Sequence, residues 1–60
     1  MIKFTIEGTA KADGWWTAWV IANYNGWESR WAGLGKTKAA AVGDAIANAS
    51  QMLIQNRKTT

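Results

Sequence analysis

The 60-residue sequence predicts an α+β domain: a three-stranded antiparallel sheet in the order β-β-β-α, with one C-terminal helix packed on one face. Three observations carry this reading. Apolar and polar residues alternate at the N-terminus, two Asx-Gly dipeptides sit where hairpin turns belong, and after Gly35 the apolar spacing becomes helical.

The first strand begins in residues 2–7, where Ile2, Phe4 and Ile6 alternate with Lys3, Thr5 and Glu7. Asp13-Gly14 supplies a turn. The aromatic and β-branched run Trp15–Tyr24 makes the second strand, and Asn25-Gly26, the dipeptide best suited to a tight hairpin, leads into the third at residues 27–34. Gly33 and Gly35 are expected to let the chain turn from sheet to helix, with Thr37 as the N-cap. The helix is placed at residues 38–55, roughly 27 Å long at 1.5 Å per residue. Its apolar stripe is read as Val42, Ile46, Ala49 and Leu53, flanked by Ala39, Ala45 and Met52, with Asp44, Asn48, Gln51 and Gln55 opposite. Residues 1–55 then form a single domain, and residues 56–60 a polar tail.

Composition narrows the function. A chain of this length buries only about 60% of the surface its unfolded form exposes, so a single core contributes little. With no Cys and no His, disulfides and zinc or iron–sulfur sites are excluded, and self-association into a homodimer or higher oligomer is the remaining route to stability. The four carboxylates, Glu7, Asp13, Glu28 and Asp44, are dispersed and lack an imidazole to work beside. That argues against an enzyme, a metal site or a cofactor. Net charge is +3, spread over Lys3, Lys11, Arg30, Lys36, Lys38, Arg57 and Lys58 without a basic run. No stretch approaches the roughly 18 apolar residues of a membrane span and no leader pattern is visible, so a cytoplasmic protein is expected.

Two-residue turns assign faces to the strands. A turn at Asn25-Gly26 puts Tyr24 opposite Trp27, Ala22 opposite Ser29 and Val20 opposite Trp31. A turn at Asp13-Gly14 puts Ile6 opposite Ile21. One face then carries Ile2, Phe4, Ile6, Trp15, Trp19, Ile21, Ala32 and Leu34, the more hydrophobic set, and the helix is expected to cover it. The other face carries Trp16, Val20, Tyr24, Trp27 and Trp31, with Lys3 and Lys11 beside them, and is expected to stay open. Such a surface exceeds what soluble monomers usually show, so these five residues are the candidate anchors for self-association or for a protein partner, of antitoxin or inhibitor type. A competing use is a stacking platform for single-stranded bases.

Gly35-Lys36-Thr37 has the end of a Walker A loop but carries Arg30 where its first Gly belongs. Gly33-x-Gly35-x-Thr37-Lys38-x-x-Ala41 before an Ala-rich helix resembles the last strand and final helix of double-stranded RNA-binding domains. That likeness implies phosphate contacts by Lys36 and Lys38 at the helix N-terminus, supplemented by Lys3 and Lys11 if nucleic acid is bound. The family's first helix and its lysine pair are absent.

Over nearly the whole chain, the order of signals resembles HicB-like domains. The matching pieces are the strand in residues 2–7, the segment Asp13-Gly14-Trp15-Trp16-Thr17-Ala18-Trp19-Val20, the link Gly35-x-Thr37-x-x-x-Ala41 and a helix bearing Ala45 and Ala49. The resemblance implies a partial RNase H fold and a dimeric or larger module that binds a protein, as antitoxins of that family oppose an mRNA-cleaving toxin. The family's Pro-rich segment after the second strand is replaced here by Ile21-Ala22-Asn23-Tyr24-Asn25-Gly26, and the acidic start of its helix by Lys38 and alanines.

Overall fold

Both hairpins close on two residues with positive φ, Asp13 and Gly14 in one and Asn25 and Gly26 in the other. That is the type I′ geometry, whose twist matches the twist of the strands it joins. The computed structural model describes the backbone of residues 2–58 and the side-chain surroundings of residues 2–52. Strands β1 (Lys3–Ala12), β2 (Trp15–Tyr24) and β3 (Trp27–Gly35) form one open antiparallel sheet in the order β1-β2-β3, and helix α1 (Lys38–Lys58) follows. The expected β-β-β-α arrangement is present.

Helix α1 starts where its cap predicts. Thr37 Oγ1 accepts from the Ala40 N–H at 3.1 Å, and the Thr37 carbonyl accepts from the Ala41 N–H at 3.0 Å. Its end is a correction. The helix runs through Lys58 rather than stopping at residue 55, because Asn56, Arg57 and Lys58 include no Gly or Pro to break it. Thr59, Thr60 and the side chains of Leu53 and Gln55 lie outside the described residues.

Two corrections concern the faces of the sheet. β1 pairs with β2 as the Asp13-Gly14 turn requires from Ala12↔Trp15 back to Gly8↔Trp19, but the register then shifts so that Ile6 meets Val20 and Phe4 meets Ala22. Glu7 is the extra residue of a β-bulge. A one-residue slip changes which face a side chain occupies, so Phe4 and Ile6 join Val20 rather than Ile21.

The helix, moreover, covers the opposite face from the one expected. Ala18, Val20 and Ala22 of β2 are buried with Ala41, Ala45 and Ala49 of α1, and Val20 is the largest fully buried side chain among the described residues. The buried line of α1 is thus the alanine row at i, i+4 and i+8. Val42 and Ile46 are only half-buried beside it, and Ala39 and Met52 are exposed.

Fit explains this choice. Gly33 and Gly35 lie inside β3 without positive φ, so they do not turn the chain; they face α1 and admit its backbone. A Cβ on Gly33 would fall 2.5 Å from the Ala41 carbonyl oxygen and closer still to the Ala45 nitrogen, and one on Gly35 would fall 2.6 Å from the Ala41 nitrogen. Gly33, Gly35, Ala18 and Ala22 lie under the alanine row of α1 and allow a close approach there, whereas Leu34, Ala32, Thr17 and Trp19 hold the corresponding positions on the other face. The contact energy of many atoms at close range outweighs the extra apolar area elsewhere.

The helix sits off-centre, over β3 and β2, and scarcely reaches β1. It runs antiparallel to β3 and ties down that strand's outer edge. The Leu34 N–H donates to Asp44 Oδ2 at 2.9 Å, and Asn48 Nδ2 donates to the Ala32 carbonyl at 3.1 Å. The result is a two-layer plank of 40 × 20 × 13 Å with a radius of gyration of 12.0 Å, against about 10 Å for a compact chain of this length.

Candidate binding surface

With α1 on the Val20 side, the uncovered face of the sheet carries the alternate residues: Trp15, Thr17, Trp19 and Ile21 of β2, Ala32 and Leu34 of β3, and Ala10 and Ala12 of β1. Trp19 stands between Gly8 and Ala32 in register, so nothing large flanks its ring. Trp15, Trp19 and Leu34 are 46%, 39% and 58% exposed. Together they leave on the order of 300 Å² of apolar surface in one patch. The chain as a whole exposes 4476 Å², several hundred Å² above the roughly 3,900 Å² of a compact monomer of its mass.

Charges frame the patch at both ends. Arg30 Nη2 reaches Glu7 Oε2 at 3.2 Å, a bridge that spans from β3 to β1 across Ile21. At the other end, Lys36 Nζ lies 4.0 Å from the centre of a Trp15 ring, over its face. A groove of about 340 Å³ runs round the β3 edge from Thr17, Ala32 and Leu34 to Asp44 and Asn48. Both of those polar side chains are already engaged with β3 backbone there.

The five anchors read from the sequence, Trp16, Val20, Tyr24, Trp27 and Trp31, lie instead on the helix side. Val20 is wholly buried, Trp16, Tyr24 and Trp31 are half-buried, and Trp27 is 79% exposed at the tip of the second hairpin. The Trp31 indole N–H is satisfied by Ser29 Oγ at 2.7 Å, as expected of a ring that helps close the interior. They therefore do not form an uncovered platform, because the alanine row of α1 seats against that side of the sheet.

The four lysines do not converge either. Lys3 sits at one end of β1, while Lys11 pairs across from Trp16 near the other end, roughly 26 Å away at 3.3 Å per residue. Lys36 and Lys38 follow Gly35 at the end of β3, which β2 separates from Lys11, and Lys36 is engaged with Trp15.

Sequence reasoning also missed Asp44 and Asn48, which it placed on the solvent side of the helix. Their signal was present: two short hydrogen-bonding side chains four residues apart, each adjoining the alanine row. Among the described residues no three acidic, His or Cys side chains gather to hold a metal, and no helix is long and apolar enough to cross a membrane. No protein family model, curated protein or solved structure matches the chain.

Proposed function

We propose that this chain is a non-enzymatic protein-binding module, of the antitoxin or inhibitor type that the HicB-like resemblance implies, and that its interface is the uncovered sheet face. Trp15, Trp19 and Leu34 are the anchors, with Ile21 and Ala32 filling between them. The observation that carries this reading is the pair of half-exposed indoles on the uncovered face of a helix-backed sheet. Two Trp held by β2 lose little conformational entropy on contact, and aromatic anchors of this kind dominate protein interfaces. The charged groups stand at the rim, where they set orientation and approach rather than affinity.

The test compares partners retained from extracts of the source cell by the wild-type chain, by Trp19→Lys and Leu34→Lys, and by Trp27→Lys on the helix side. Partners identified by mass spectrometry should be lost with the first two variants and kept with the third; equal retention by all variants refutes the assignment. The product of a small reading frame beside the gene is the first purified partner to try.

A second reading, nucleic-acid binding, has one specific observation behind it: Lys36 stacked on Trp15 at the edge of the same face. It requires binding to single strands or duplex that falls with salt and is lost in Lys36→Glu with Lys38→Glu. Undetectable binding at about 50 mM salt removes it.

A further inference from the structure

We infer that β1 is a homotypic edge: two copies of this chain pair antiparallel through residues 3–7 of β1 about a two-fold axis at Thr5, joining their sheets into one of six strands. This goes beyond the reading of the open face and does not depend on what that face binds.

The two edges of the sheet differ. The outer edge of β3 is tied down by Asp44 and Asn48, whereas α1 scarcely reaches β1. Backbone direction follows from the turns. The residues flanking a two-residue turn exchange hydrogen bonds, so Tyr24, Ala22, Val20, Ala18 and Trp16 bond toward β3, and the odd-numbered residues of β2 bond toward β1. Ile21 and Asn23 thereby take Thr5 and Lys3, and the N–H and C=O groups of Phe4 and Ile6 point away from the sheet. Among the described residues nothing pairs with that edge, which makes it a template for another strand. Beyond it the bulge at Glu7 kinks the strand and ends the usable stretch.

Side chains select the partner and the register. A two-fold axis at Thr5 sets Lys3 across from Glu7 of the second copy, twice by symmetry. Lys3 shares the open face with Thr5, and the Glu7 carboxylate lies over that same face, where turning from the exposed Arg30 toward the edge brings it to Lys3 of the second copy. On the helix side, Phe4 meets Ile6 of the second copy; Ile6 is 54% exposed for want of cover from α1, and this pairing provides it. The competing axis at Thr9 fails, because Lys11 lies on the helix side, opposite Trp16, and cannot meet Glu7. An isologous pairing of opposite charges and apolar neighbours fits a second copy better than an arbitrary strand. It also places Trp15 and Trp19 of both copies on one side of a continuous sheet, doubling the binding face.

The chain has no cysteine, so Thr5→Cys introduces a single thiol. Thr5 becomes a non-hydrogen-bonded pair with its symmetry mate, at a Cα separation of about 4.5 Å that a disulfide accepts. Under mild oxidation of the purified chain, Thr5→Cys should form covalent dimer at least about tenfold faster than Thr9→Cys. By light scattering, the wild-type chain should be dimeric. Ile6→Lys and Lys3→Glu, both at exposed positions that spare the monomer fold, should each weaken the dimer about tenfold, and Glu7→Lys added to Lys3→Glu should restore it. A wild-type monomer overturns the proposal. So does crosslinking at Thr9→Cys as fast as at Thr5→Cys, or a dimer broken by Trp19→Lys and indifferent to Ile6→Lys. Because the assay uses the chain alone, its failure leaves the reading of the open face standing.

Discussion

Substituting Gly33 by Ala tests whether the helix is seated where the glycines allow. The added Cβ lies 2.5 Å from the Ala41 carbonyl oxygen and 2.8 Å from the Ala45 Cα, both backbone atoms that have no rotamer to escape by. Ordinary contact needs about 3.5 Å, so α1 must retreat by roughly 1 Å, enough to forfeit a quarter to a half of each contact along the Ala41, Ala45 and Ala49 row. Overpacking of this kind costs about 1–3 kcal/mol, offset in part by the 0.5–1 kcal/mol that Ala gains over Gly in a strand. A net loss of about 1 kcal/mol lowers the midpoint of thermal unfolding by roughly 4–8 °C in a domain this small. Gly43→Ala is the control. It makes the same chemical change at a helical position where a Cβ meets nothing, and it should stabilise the fold by about 1 kcal/mol. Urea titrations read by tryptophan fluorescence and circular dichroism give both values. If Gly33→Ala matches or exceeds the wild type in stability, the helix does not pack on β3 as described and the face assignment fails with it.

Three further outcomes follow from the same packing. Val20→Ala, at the one large fully buried position among the described residues, should cost about 2 kcal/mol in a denaturant titration, while Trp27→Ala at 79% exposure should change stability by less than about 0.5 kcal/mol. Thr37→Ala removes the acceptor for the Ala40 N–H and should cost about 1 kcal/mol, read as loss of helical circular dichroism at lower urea. Asp44→Ala combined with Asn48→Ala frees the outer edge of β3; stability should drop by about 1–2 kcal/mol, and light scattering at rising concentration should show growth beyond the wild-type mass.

Local chemistry was legible in particular residues. Asp13-Gly14 and Asn25-Gly26 announced two-residue turns because few other dipeptides accept positive φ twice in succession. Thr37 announced the cap. Which faces meet was less legible. A tally of large apolar side chains favoured Trp15, Trp19, Ile21 and Leu34 for the interior, and the helix went to the other side. Gly33, Gly35, Ala18 and Ala22 alternate on one face, and Ala41, Ala45 and Ala49 recur every fourth residue on the helix. Matching those two rows of small residues, rather than summing hydrophobicity, points to the observed seat. The bulge at Glu7 had no comparable signal: Gly8 beside it is compatible with either register.

The sequence by itself determined the element order, both turns, the helix start and the argument that one helix cannot cover two apolar faces of a sheet. These depend on backbone preferences and spacing, which act within a few residues. Tertiary structure decided which face was left bare, turned Asp44 and Asn48 into edge caps, and put Trp15, Trp19 and Leu34 rather than Trp16, Tyr24 and Trp31 on the uncovered face. Such choices rest on how closely two backbones can approach, and that distance is set by side chains far apart in the chain.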